Sequence, residues 1–286
     1  MTGSESFEYE NVDHETYYKN QKIAIDILAE ISKLYSIPVP QIRFTDVINF
    51  FFDQFDIKLS IFESTNSNPL YLNPDPQVDL VTFNTTMKYS NINLHAERLD
   101  LVNPQFSDNV DGLTFNQNNK HAMFINCSTN YFPRLIFTVL HELSHIYLSE
   151  TSNKYLGLVA KINDYKGCGD PYPNELRPIE TGANIIASEL FANKLALESA
   201  INSNCTFDEM RTRFGMSKGA LHNRILNYLE HSQNFEYSLA KDCTFKIRNN
   251  GQAGIDEVKS FISTVNGGKV HNPYTKIDAF DNVIFA

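Results

Sequence analysis

The stretch Tyr131-Phe-Pro-Arg-Leu-Ile-Phe-Thr-Val-Leu-His-Glu-Leu-Ser-His-Ile-Tyr-Leu148 is apolar around most of its circumference, and a helix of that kind must be covered on nearly every side. It therefore demands a core large enough to wrap it, which 286 residues at 42% hydrophobic content can supply. Pro133 suits the first turn, where a missing N–H costs nothing. Three polar side chains, His141, Glu142 and His145, interrupt this buried surface. Their desolvation is costly unless specific partners offset it.

His141-Glu142-Leu143-Ser144-His145 has the H-E-x-x-H pattern. Residues four apart share a helix face, so both imidazoles can reach one tetrahedral Zn²⁺, and Glu142 projects beside it as a candidate general base. A third ligand must come from elsewhere, leaving the fourth position open. The longer pattern with Gly at 148 and His at 151 is absent, since Leu148 and Thr151 stand there. The helix expected from about Pro178 to Ala200 offers Glu180, Glu189 and Glu198. Glu180-Thr-Gly-Ala-Asn184 and Glu189-Leu-Phe-Ala-Asn193 are both E-x-x-A-N strings. In each, the Asn one turn on could accept from the free N–H of a ligating His. Periodicity alone leaves both open.

Elsewhere, Ile23 to Leu34 recur at helical spacing, a helix is expected from Thr45 or Asp46 through Phe55, and Ile57, Leu59 and Ile61 alternate as a strand. Short strands are expected at 79–84 and 121–126. The second can be either an edge that accepts an extended substrate or an internal strand. Thr206 with Glu209 forms a capping box, Ser217 caps a further helix, and the tail predicts a weak strand near 243–248 and a helix near 254–264.

These residues resemble the ImmA/IrrE family of metallo-endopeptidases over roughly residues 111–230. The likeness rests on three stretches. The first runs from Asp111-Gly-Leu-Thr through Met-Phe-Ile-Asn126 to Ile-Phe-Thr-Val-Leu-His-Glu-Leu-Ser-His-Ile-Tyr-Leu148, the second is Glu180-Thr-Gly-Ala-Asn-Ile-Ile-Ala-Ser-Glu-Leu-Phe191, and the third is the helix pair from Thr206 to Leu226. The resemblance implies Glu180 as third ligand, Asn184 as its supporting residue and Glu189 as a later non-ligand. The register starting at Glu189 puts Ser199 where an apolar residue is expected. Asn193 stands where the family often has Pro.

The fold implied is α+β: a zincin-like metallopeptidase domain with a small sheet and two active-site helices, plus a helical, helix-turn-helix-like C-terminal appendage. The expected divisions are a flexible 1–14, the metallopeptidase domain 15–202, the appendage 203–232 and an extension 233–286. The implied substrate is one protein, a helix-turn-helix repressor or antitoxin. The rival is a non-catalytic anti-repressor or a DNA- or protein-binding regulator that keeps a structural metal.

Four cysteines without C-x-x-C pairing, no secretory leader and no apolar run of roughly 20 residues predict a cytoplasmic, non-membrane protein. A net charge of −10 disfavours nucleic acid, though Arg211, Arg213, Lys218 and Arg224 are candidate phosphate contacts. Cys168, between the two ligand helices, is either an ordinary loop thiol or an inhibitory ligand at the open metal position. Tyr155, Tyr165 and Tyr172 are candidate oxyanion donors.

Overall fold

The computed structural model describes residues 12–62, 96–98, 110–117, 120–127, 132–151, 158–162 and 176–265. The strand expected at 79–84, Cys168, Tyr155, Tyr165, Tyr172 and most of the 1–14 lead-in lie outside them. The chain divides into two compact units, residues 43–190 and residues 1–42 with 191–286. This partition groups the first helix with the C-terminal helices, whereas the sequence expectation joins it to the rest of 15–202.

The unit of residues 43–190 is built on a mixed sheet. Its strands are β1 (Asp56–Phe62), β2 (Ala96–Arg98), β3 (Val110–Gln117), β4 (Lys120–Asn126) and β5 (Leu158–Ile162), in the order β2-β1-β4-β3-β5. β4 is parallel to β1 and antiparallel to β3. The 121–126 segment is thus an internal strand with both edges paired, and it offers no edge to a substrate.

Directly opposed residues share a face, so two rows cross the sheet. Leu59, Met123 and Thr114 form one, and Ile61, Ile125 and Gly112 the other. The four apolar members are buried as expected, and so are Gly112 and Thr114. Against the sheet pack α2 (Phe44–Gln54) and α3 (Phe132–Thr151), the helix of the opening motif. Leu135, Ile136, Val139, Leu140, Leu143 and Ile146 of α3 are all fully buried, which accounts for its all-round apolar sequence. Ser144 donates to the Leu140 carbonyl one turn back, so its buried hydroxyl is satisfied. α4 (Arg177–Phe191) completes this unit up to Leu190.

Where α3 meets β3 the pairing with β5 slips: Val110 opposes Ile162 and Gly112 opposes Lys161, leaving Asp111 as the extra residue of a bulge. Asp111 forms an ion pair with Arg134 in the first turn of α3, at 2.7 Å. Asn126, at the end of β4, donates to the Val110 carbonyl at 3.0 Å and closes the same corner. Bulges occur where a strand must re-aim its residues.

The other unit is helical among its described residues. It contains α1 (His14–Tyr35), a 3₁₀ turn (Val39–Gln41), α5 (Lys194–Asn202), α6 (Phe207–Phe214), α7 (Lys218–Asn227), a π-turn (Tyr228–Ser232), α8 (Tyr237–Asn249) and α9 (Gly251–Val265). Asp13 caps α1 by accepting from Thr16 N, and Thr206 and Glu209 form the reciprocal capping box of α6.

Three expectations are corrected among the helices. The single helix from 178 to 200 is two, because Asn193 caps α5 by accepting from Ala196 N while its amide donates to the carbonyls of Val39 and Ile42. The weak strand at 243–248 is part of α8, where Ala240, Cys243, Thr244 and Ile247 recur at helical spacing as the buried stripe. Arg224 leaves the set of candidate phosphate contacts, since its side chain is fully buried and its Nε donates to the Ala192 carbonyl.

Candidate metal centre

α3 presents His141 and His145 one turn apart, and the first turn of α4 brings Glu180 to meet them. The two Nε2 atoms are 3.0 Å apart. Glu180 places Oε2 3.1 Å from Nε2 of His141 and Oε1 3.5 Å from Nε2 of His145. All three side chains are buried, and the imidazole planes are inclined at 79°, so their ring nitrogens aim at one point from different directions. Among the described residues this is the one cluster of three His, Cys, Asp or Glu whose ligand atoms lie within 4.8 Å of one another.

The donor set fits a cation. Ligands bound about 2.0–2.1 Å from a tetrahedral Zn²⁺ stand about 3.3 Å from each other, close to the spacing found. Protonation points the same way. Nδ1 of His141 lies 2.9 Å from Oδ1 of Asn184, an acceptor, so that nitrogen carries the ring's hydrogen and Nε2 presents a lone pair. A lone pair facing a carboxylate and a second imidazole nitrogen is repulsive unless positive charge sits among them. Burial raises the Glu180 carboxyl, while donors and positive charge at the two rings would hold it at about 2; with Nε2 of His141 presenting a lone pair, a cation at that point has to supply the charge. Glu180 is therefore ionised at neutral pH, as a metal ligand must be.

Glu189 is also buried on α4 but does not join the cluster. The second E-x-x-A-N string is broken by the end of α4, since Asn193 caps the next helix and bonds to residues 39 and 42. His121 is likewise accounted for elsewhere, with Nδ1 2.6 Å from Asn116 Oδ1 and Nε2 3.2 Å from Glu150.

Glu142 sits about 100° further round α3 than His141, which turns it towards β3. Its side chain is fully buried and Oε2 accepts from Thr114 Oγ1 at 2.6 Å. Gly112, two residues before Thr114 on the same face, makes room for it. A Cβ at 112 would lie 2.6 Å from Glu142 Oε1 and 2.7 Å from Thr138 Cγ2. The sequence reading gave Thr114 and Gly112 no role. Their signal was a glycine and a hydroxyl two apart on a strand whose partners are apolar, legible only once β3 is paired with β4.

A buried His–His–Glu cluster on two helices over a small mixed sheet, with a glutamate next to the first histidine, is an arrangement of the kind that metal-dependent peptidases use. Residues 91–226, a little under half of the chain, match the model of peptidase family M78, the IrrE N-terminal-like domain. The family implies a metal-dependent hydrolase acting on protein. No curated protein matches the chain. Among the described residues, no helix is long and apolar enough to cross a membrane.

Proposed function

We propose that this chain is a zinc-dependent endopeptidase that hydrolyses a peptide bond in a specific protein substrate. The observation that carries the reading is the convergence of His141, His145 and Glu180 beside Glu142, within a stretch matching a peptidase family. Two neutral imidazoles and one carboxylate suit zinc and leave a position open.

A bound Zn²⁺ would supply Lewis acidity, making a water nucleophilic near neutral pH and polarising the scissile carbonyl. His141, His145 and Glu180 would hold that ion, and Asn184 would fix the His141 ring by accepting from Nδ1–H. Glu142 takes the proton from the attacking water on its carboxylate and returns it to the departing amine. The apolar packing of α3 around these groups keeps bulk water away and strengthens each charge interaction.

The resemblance nominates a helix-turn-helix repressor or antitoxin as substrate, and a cytoplasmic location follows from that partner. The α6–α7 pair serves as the appendage that packs or docks substrate rather than one that reads DNA: Arg224 is buried and Arg211 pairs with Asp208. Cys168 is either an ordinary loop thiol or a latch on the open position, and the latch fails if Cys168→Ser leaves basal cleavage and metal occupancy unchanged.

Glu142→Gln is the decisive variant. It should retain the metal, measured by elemental analysis, and lose cleavage of a helix-turn-helix repressor that the wild type cuts by at least about 100-fold. Survival of the biological effect in that variant would give the field to the non-catalytic regulator.

A further inference from the structure

We infer that Thr114 is the positioning residue for Glu142: its hydroxyl holds one carboxylate oxygen, Oε2, and so sets where the rest of the carboxylate is aimed. The inference rests on the peptidase reading for its catalytic meaning, but the contact stands on the structure alone.

The face of the sheet beneath α3 is built for apolar packing. Leu59, Ile61, Met123 and Ile125 fill it on β1 and β4, and both cross-strand rows end on β3 in residues of a different kind. Thr114 is fully buried there, and a hydroxyl in such a place is costly unless it donates. It donates to Glu142 Oε2 at 2.6 Å, at the short end of O–H···O hydrogen bonds. Valine would fill the same space without a donor. The hydroxyl is thus the part of the side chain that packing does not require.

Glutamate has three side-chain torsions to fix, and one hydrogen bond to a rigid strand removes most of that freedom. The strand itself is located: the Asp111 bulge is tied to Arg134 of α3, and Asn126 closes the Val110 carbonyl. Gly112 then lets the carboxylate lie against the backbone, with no side chain at 112 to push Oε1 away. Thr114 acts through Glu142. Its contribution is to the aim of Glu142.

The test compares Thr114→Val and Thr114→Ser with wild type, all zinc-loaded and carrying ¹³C-carboxyl glutamate. The Glu142 carboxyl resonance is identified by its loss in Glu142→Gln. We expect T114V to move that resonance while the other glutamates stay, T114S to restore it, and zinc content to be equal in all three. With a helix-turn-helix repressor that the wild type cuts as substrate, T114V should lower kcat about 10- to 100-fold at unchanged KM, and T114S should recover most of it.

A Glu142 resonance that T114V leaves in place overturns the inference, as does an unchanged kcat beside a moved resonance. Thr114→Ala, which removes the donor without setting a methyl against the carboxylate, gives the same comparison if the valine variant does not fold. Cleavage that persists undiminished in E142Q would instead defeat Glu142 as the base, and no cleavage by zinc-loaded wild type would defeat the peptidase reading; in both cases the carboxyl spectra would still report whether Thr114 holds Glu142.

Discussion

Nδ1 of His141 and Oδ1 of Asn184 stand 2.9 Å apart across 43 residues of sequence, and this pair fixes which ring nitrogen faces the metal position. Asn184 lies one turn beyond Glu180 on α4, so one helix face supplies both a ligand and the group that orients another ligand. Asn184→Leu should therefore weaken zinc binding about 10- to 100-fold without removing any ligand. Competition with a calibrated chelator measures this, and affinity equal to wild type would show that the ring needs no such support.

Glu180 and Glu189 are both buried on α4, yet only Glu180 lies with the two histidines. Glu180→Ala should leave the purified protein without stoichiometric zinc, and Glu189→Ala should keep it. Elemental analysis of the pair decides. Loss of zinc in the second variant alone would reverse the ligand assignment.

Gly112→Ala tests the close approach of β3 to α3. Its added methyl would meet Glu142 Oε1 and Thr138 Cγ2 at 2.6 and 2.7 Å, too near for either to remain in place. Overpacking of this sort costs about 1–3 kcal/mol, read as a lower urea midpoint at unchanged slope. Cleavage should fall further than that loss of stability explains, because one of the displaced groups is the proposed base.

Acid should act on the helical unit through His222 and His231. Burial, with the nearby charges of Arg248 and Lys241, pushes His222 down to about 4, and burial with His14 pushes His231 down to about 4 against the opposing pull of Asp13. Between pH about 4 and 6.5 the unfolded chain binds protons that the folded one refuses, so these groups make stability rise with pH in that window and add no slope above it. Replacing His222, whose ring packs near Phe245, by Phe should flatten the decline in melting temperature between pH 6.5 and 4.5. An identical slope in variant and wild type would remove His222 as a cause.

Asn193 joins two jobs in one side chain, capping α5 and tying down the carbonyls of Val39 and Ile42. Asn193→Ala should cost about 1–3 kcal/mol, from the lost cap and the buried carbonyls left unpaired. Thermal unfolding of the variant measures the loss, and no change in midpoint would mean that water replaces the amide at little cost.

The parts legible in sequence are those with local causes. The buried helix, the spacing of His141 and His145, and the caps at Thr206 and Ser217 each follow from residues within a turn of one another. Long-range pairing was not legible. β3 contains Gly112, Asn116 and Gln117 and lacks a clean apolar alternation, so only its place between β4 and β5 makes it a strand. Thr114 and Gly112 were missed for the same reason, since their meaning depends on a helix that starts 18 residues after Thr114. The segment at 243–248 read as a strand because Cys243, Phe245 and Ile247 alternate. The stripe at Ala240, Cys243, Thr244 and Ile247, spaced for a helix, is the one that packing selected.

His141 and Glu180 approach within 3.1 Å although 39 positions separate them. An ion held between them is a cross-link as well as a reagent, because it ties two helices that the unfolded chain would let drift apart. Every increment of its binding energy is then also resistance to unfolding. The supply of free metal in its surroundings would govern how long such a molecule survives proteolysis, before it governs how fast it turns over anything else.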